Sequence, residues 1–341
     1  MQIPPRLSLA RTPTPIHRLK QTSLELDKDV YIWRDDLTGY NESGNKVRKL
    51  EFLLADAVAS GCDWIVTCGG PQSNHTRATV ALARQLGLGV TVVILPRPGF
   101  DRGKPATGNL LLNQIFDADL VWLDFDDFQN KGSRYDPFLE KEVERLRAEF
   151  KNPYVIPLGG SNALGCFGYR TAMKEMLSTW KKLQLGSTTP DSIFCAMGSG
   201  GTMLGLQLGL QDHQLDSCKL FGINVTGTPE VGAEYISRLS REITDSGEKL
   251  THKNTFLIDG YVGEGYSVAT NADLEYYVQI GRKEGILLDP CYTGKAFQGM
   301  IAEVKKDPIR FGRKILFLHS GGGFANFAYA EQYQEVLGTN A

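Results

Sequence analysis

Ser192-Ile193-Phe194-Cys195-Ala196-Met197-Gly198-Ser199-Gly200-Gly201-Thr202 decides the architecture. A short apolar run reads as a strand, the glycines as a tight turn, and the MLGLQLGLQ that follows (203–211) as a helix. Strand, glycine turn, helix is the repeating unit of a parallel α/β sheet. Downstream the unit continues in KLFGINV (219–225) and closes with KILFLHSGGG (314–323) and a last helix. Upstream, helix FGYRTAMKEMLSTW (167–180) precedes it, across a loop-like stretch around Leu185 to Pro190.

Further upstream the alternation is denser. DWIVTCGG (63–70) is a buried strand entering a glycine turn, and SNHTRATVALARQLGLG (73–89) opens with cap residues and carries Val80, Ala81, Ala83 and Leu86 at helical spacing. VTVVIL (90–95) is almost wholly apolar, the mark of a parallel strand covered on both faces. TGNLLLNQIF, LVWLDF, DPFLEKEVERLRAEF and YVIPLGG complete roughly four β-α units between Leu50 and Gly160. KDVYIW (28–33) is a strand. A helix spans Lys46 to Ala59, with Leu50, Leu53, Leu54, Ala57 and Val58 as its apolar positions. The expectation is an α/β protein of two domains with open, mostly parallel twisted sheets. Residues 1–50 and 163–341 form the larger domain and 51–162 the smaller, with a site in the cleft between them.

Composition narrows the class. At 341 residues, 42% apolar and 22% charged, the chain reads as an ordinary soluble protein. A formal charge of -2 gives no electrostatic case for nucleic acid or an anionic membrane surface. No apolar window reaches the roughly 18 residues of a membrane helix. The N-terminus lacks the apolar core of a secretory signal. The six cysteines follow no metal or CxxC spacing, and the five histidines form no HxxxH or HxH pair. Reduced core thiols, a cytoplasmic location and no metal site are expected.

Ligands of open parallel sheets bind beyond the carboxyl ends of the strands. Gly198 to Thr202 reads as a phosphate cup, since glycines admit an anion and the helix start offers free N–H groups beside the Ser199 and Thr202 hydroxyls. It lacks the GK[ST] ending of a P-loop. Gly69 to His75, GGPQSNH, suits a carboxylate or a ring hydroxyl, or is a plain helix cap. HSGGG (319–323) and DPCYTGK (289–295) are weaker signals of the same kind. GNKVRKLEF (44–52) places Lys46, Arg48 and Lys49 at a helix start, where the macrodipole disfavours cations. A lysine flanked by Gly44 and Asn45, with a phosphate cup elsewhere, suggests pyridoxal phosphate, whose aldehyde needs an amine. Lys49, one turn on, can neutralise the phosphate.

GNKVRKLEFL, GGPQSNHTR, GSGGT, DPCYTGKA and LHSGGG, in this order and spacing, resemble the D-cysteine desulfhydrase and 1-aminocyclopropane-1-carboxylate deaminase family over nearly the whole chain. The resemblance implies pyridoxal 5'-phosphate as cofactor, a tryptophan-synthase-β-like fold (fold type II) and a homodimer. It implies that Lys46 is the Schiff-base lysine and Lys49 a phosphate contact. By the same token Asn74 bonds the ring oxygen, Gly198, Ser199, Gly200, Gly201 and Thr202 hold the phosphate, and Thr293 faces the ring nitrogen. Ser73 and His75 would contact the substrate carboxylate or serve acid–base steps. Tyr266, in YVGEGYS, and Tyr292 match two active-site phenols. The deaminases resemble QSNQ with a glutamate at the position of Thr293; here His75 and Thr293 stand instead. A hydroxyl leaves the ring nitrogen nearer neutral than a carboxylate does, which favours β-elimination over cyclopropane opening. The chain departs from the family pattern at Tyr40 to Ser43 and at Phe324 to Asn326.

The implied activity is a lyase acting on a small amino acid, first D-cysteine to pyruvate, ammonia and hydrogen sulfide. Elimination of another β substituent (cysteate, β-chloroalanine), deamination of 1-aminocyclopropane-1-carboxylate, and a non-catalytic pyridoxal-phosphate-binding protein stand as alternatives.

Overall fold

A computed structural model describes residues 3–97, 100–131 and 133–338. The chain begins with β1 (Ile16–Arg18), α1 (Lys20–Leu26), β2 (Asp29–Arg34) and α2 (Lys46–Ala59). It then runs through β3 (Trp64–Gly69), α3 (Asn74–Gln85), β4 (Gly89–Ile94), α4 (Gly108–Ile115), β5 (Asp119–Trp122), α5 (Phe125–Asn130), α6 (Asp136–Ala148) and β6 (Pro153–Val155). α7 (Ala163–Lys182), β7 (Ser192–Met197), α8 (Gly201–Asp212), β8 (Lys219–Asn224), α9 (Pro229–Asp245) and β9 (Thr255–Ile258) follow. α10 (Asn271–Glu284), α11 (Thr293–Lys306), β10 (Lys314–His319) and α12 (Ala330–Leu337) end it.

Two sheets result, ordered β1-β2-β10-β7-β8-β9 and β5-β4-β3-β6. Every pairing is parallel except β1 with β2. Side chains alternate across the larger sheet, as a two-residue period demands. Val30, Ile32, Phe194 and Phe317 join one core, and Tyr31, Trp33, Ile193, Cys195, Leu316 and Leu318 the other. β4 is buried along its whole length in the middle of the smaller sheet.

α2 carries the lysines, and its packing places them. Val47, Leu50, Leu53, Leu54 and Ala57 pack on Ile65, Val90, Val92 and Ile94 of the smaller sheet. The opposite side meets α7 so closely that a Cβ on Gly168 would lie 2.6 Å from the Arg48 backbone. α2 therefore runs between the layers with its first turn at the junction. Val58, expected on the apolar face, is instead 46% exposed. The expected last helix is present as α12, preceded by a 3-10 stretch (Gly323–Tyr329). β1, α1, α9, β9, α10 and α11 lie in segments whose pattern suggested no element. α9 buries only Gly232, Leu239 and Ile243, too sparse a set to stand out.

Candidate active site

β3, β7 and β10 end in glycine turns that open on one cavity of about 880 Å³ between the two sheets. Its lining holds Lys46, Lys49, Ser73, Asn74, His75, Gly198 to Thr202, Tyr266 and Tyr292. The lysine motif and the last glycines are in backbone contact. Gly44, at φ 115°, would put a Cβ 2.9 Å from the Ser320 carbonyl, which already accepts the Asn45 N–H at 3.0 Å. A residue with a side chain cannot take that position.

The three cations of α2 part company. Lys46 has no hydrogen-bond or ion-pair partner among the described residues, and its amine is held well below the usual lysine range by burial and then by the charge of Lys49. Its Nζ faces the Gly159 turn, where a Cβ would stand 3.5 Å away. Lys49 turns to the cup, donating to the Gly159 carbonyl at 3.2 Å and to Ser161 Oγ at 3.0 Å, and burial lowers it to about 8. Arg48 points away from the cavity, into Asp35 and Glu175.

Ser161 is the residue the sequence reading missed here. Its Oγ meets Ser199 Oγ at 2.7 Å and accepts the Gly201 N–H at 3.2 Å. Lys49, the Ser161 and Ser199 hydroxyls and a helix-start N–H thus converge on one point. Gly200 is left-handed at φ 85°, and a Cβ on Gly201 would stand 2.7 Å from Lys49 Nζ. Thr226 Oγ1, on the wall beside Gly198, is buried without a partner among the described residues. A free amine, an anion cup with its own cation, and an orphaned hydroxyl fit pyridoxal phosphate.

Ser73 caps α3, accepting the Thr76 N–H at 3.3 Å. Tyr266 and Tyr292 share a 2.7 Å hydrogen bond between their hydroxyls, and burial pushes both phenols well up. Thr293 does not line the cavity. Its hydroxyl donates to the buried Asp289 carboxylate at 2.6 Å and accepts the Asp289 N–H at 2.7 Å.

His75 lines the wall, with both ring nitrogens beside threonine hydroxyls. Thr67 Oγ1 gives its hydrogen to the Ile156 carbonyl at 2.8 Å, so it accepts from His75 Nε2 at 2.9 Å. Nδ1 then faces Thr79 Oγ1 at 3.5 Å as the acceptor. Burial, followed by the charges of Lys46 and Lys49, holds His75 well below the ordinary histidine range. His319 is a second neutral histidine, lowered first by burial, with Nδ1 accepting the Gly321 N–H and Nε2 donating to the Leu287 carbonyl. Because the unfolded chain binds these protons near pH 6.5 and the folded chain does not, their contribution is present above that pH and lost as pH falls. Unfolding free energy should drop by up to about 1.4 kcal/mol per pH unit for each histidine below pH 6.5. Urea unfolding at pH 7.5 and 5.5 checks this, and equal stabilities would contradict it.

Among the described residues no group of His, Cys, Asp and Glu could hold a metal ion, and no helix is long and apolar enough to cross a membrane.

Comparison with known proteins agrees with the cavity. Residues 7–321 match the family described as pyridoxal-phosphate dependent enzyme, and the chain belongs to that family. Pyridoxal phosphate is accordingly its cofactor. A Thermotoga maritima protein provisionally named 1-aminocyclopropane-1-carboxylate deaminase is 37% identical over 328 residues, 96% of this chain and 99% of that protein. An Arabidopsis thaliana protein named bifunctional D-cysteine desulfhydrase/1-aminocyclopropane-1-carboxylate deaminase, mitochondrial, is 35% identical over 333 residues, 97% of this chain and 81% of that protein. The crystal structure of an ACC deaminase homologue superposes with a TM-score of 0.84 at 36% identity, covering 98% of this chain and 96% of that one. A fungal L-serine ammonia-lyase from Rhizomucor miehei, at TM-score 0.66 and 17% identity over 98% of this chain and 100% of that one, shares the fold. The fold is that of the type II pyridoxal-phosphate enzymes.

Proposed function

We propose that this chain is a lyase that eliminates the β substituent of a small amino acid, with D-cysteine the first substrate to test. The observation that carries the proposal is the Lys46 amine, without a partner among the described residues and held well below the usual lysine range, in a cavity that also contains an anion cup and two hydrogen-bonded phenols.

The cofactor, when bound, supplies an electrophilic carbon for the substrate amine and a ring that stabilises negative charge at the α-carbon. Lys46 Nζ, whose burial disfavours its charged form, takes the α-proton. The Gly70 N–H, just beyond the end of β3, and the Ser73 hydroxyl, whose hydrogen has no acceptor among the described residues, orient the substrate carboxylate. Asn74 presents its amide to the cofactor. Two phenols carry two hydrogens and spend one on each other, so one O–H of the Tyr266–Tyr292 pair remains to protonate the departing sulfur. D-Cysteine plus one water then gives pyruvate, ammonia and hydrogen sulfide. His75, neutral and engaged on both nitrogens, supports the wall behind Lys46 rather than moving protons.

A second reading has its own support. Asp289 stands one hydrogen bond behind Thr293, so a carboxylate backs the position where the deaminases resemble a glutamate. Thr293 is set back from the cavity lining, but with its hydrogen committed to Asp289 its oxygen can only accept, so a ring nitrogen that reaches it is favoured in the protonated form, the stronger electron sink that cyclopropane opening needs. Ketoacid release separates the two: pyruvate from D-cysteine, β-chloroalanine or cysteate against 2-oxobutyrate from the cyclopropane amino acid. We expect pyruvate from at least one β-substituted substrate. No ketoacid from any of them, with cofactor bound, would overturn the lyase assignment. The proposal includes a homodimer of chains divided at residues 51 and 162, and a single-chain mass by light scattering would remove the dimer.

A further inference from the structure

Arg77, on α3, is fully buried and has no carboxylate among its hydrogen-bond partners. Burial lowers its guanidinium to about 10, so it remains a cation at neutral pH. Its Nε donates to Asn109 Oδ1 at 2.8 Å. Nη1 donates to the Asn41 carbonyl and Nη2 to the Ser43 carbonyl at 2.7 Å, in the loop that leads directly to Gly44, Asn45 and Lys46. The Phe324 ring lies 5.1 Å from the guanidinium. Arg77 thus ties together the two segments that depart from the family pattern, Tyr40 to Ser43 and Phe324 to Asn326.

A guanidinium can donate but never accept, and this gives the network a direction. Asn109 must turn its oxygen to Arg77. Its Nδ2 then donates both hydrogens, to the Gln72 carbonyl at 2.9 Å and to Asn74 Oδ1 at 2.8 Å. Gln72 fixes Asn109 further, accepting its N–H at 2.9 Å and donating to the Thr107 carbonyl at 2.9 Å. Asn74 is left with its oxygen facing Asn109 and its Nδ2 facing the cavity without a partner among the described residues. An amide has nearly the same shape when turned over, so packing alone does not choose between displaying N–H and displaying C=O. The arginine makes the choice.

We infer that Arg77 and Asn109 are positioning residues that set the polarity of the Asn74 amide, so that the cavity shows the cofactor a donor, while the same guanidinium anchors the loop carrying Lys46. This rests on the reading of Asn74 as a cofactor contact, but not on which substrate is turned over.

Asn109→Asp tests the idea with almost no change of shape. The introduced carboxylate still accepts from Arg77 but cannot donate to Asn74 Oδ1. Asn74 then turns its Nδ2 toward that carboxylate and presents oxygen to the cofactor. Fluorescence titration of apoprotein with pyridoxal phosphate should show affinity weakened about tenfold or more. In an Asn74→Ala background the same change should cost little further, because its effect runs through Asn74. Equal losses in both backgrounds, or none in either, would overturn the inference. If Asn109→Asp does not fold, Arg77 supplies the comparison: Arg77→Lys, which can only donate, should retain more cofactor affinity than Arg77→Gln, whose amide can accept. The reverse order would refute the polarity argument. Either result leaves ketoacid release, the test of the lyase assignment, untouched.

Discussion

Lys46→Ala should abolish the cofactor's visible absorption and lower kcat by roughly a thousandfold or more, the scale expected when a positioned base is lost along with the covalent anchor. The substitution removes a side chain that makes no hydrogen bond or ion pair among the described residues, so no polar contact shown in the structure goes with it. The apoprotein should therefore unfold at an unchanged or higher temperature. Lys49 cannot take over, because its amine is held by the Gly159 carbonyl and Ser161 Oγ on the cup side. Borohydride reduction of the wild type, followed by digestion, should place the cofactor's mass on the peptide containing Lys46. Colour and turnover that survive the substitution, or a label on another lysine, would end the assignment.

The second large effect concerns stability. Arg48 gives Asp35 two hydrogen bonds at 2.7 and 2.8 Å and Glu175 two more at 2.8 and 2.9 Å. Burial works against the Arg48 charge, but Asp35 and Glu175 outweigh it and raise the group above the ordinary arginine range. Asp35 is itself fully buried, accepting also from the Thr14 and Tyr169 hydroxyls at 2.7 and 2.5 Å. Arg48→Ala leaves that carboxylate without a counter-charge, at a cost of about 3–5 kcal/mol by urea unfolding. Removing Asp35 as well should recover part of the loss. A change below about 1 kcal/mol would mean that water reaches Asp35 and solvates it. Since Arg48 lies between the two lysines on α2, weaker cofactor retention should accompany the loss of stability.

What the sequence disclosed was whatever is written locally. The glycine turns after β3, β7 and β10 are legible because close approach requires glycine in place, and Lys46 because its small neighbours and the opposing helix dipole make it anomalous there. Ser161 escaped notice because its partner Lys49 is 112 residues away. Asn109 escaped for the same reason, its amide meeting Asn74 across 35 residues and Arg77 across 32. Arg48 was only one of three cations at a helix start, with no role of its own, until tertiary contacts set it against Asp35 and Glu175. Thr293 is a mixed case: motif position assigns it to the ring nitrogen, and its hydrogen bond to the Asp289 carboxylate is a contact that the motif did not announce.

The order of the larger sheet has a bearing on how the chain is made. β10, which follows every other strand of the sheet in the chain, is inserted between β2 and β7. Until Lys314 to His319 emerge, the nascent protein holds two half-sheets with bare inner edges, each a template for pairing with a neighbouring chain. Vitamin capture must wait for the same moment, since Ser320 and the glycines after it close the pocket floor against Gly44. Synthesis halted before residue 314 should yield a colourless, chaperone-dependent fragment rather than a partly loaded enzyme.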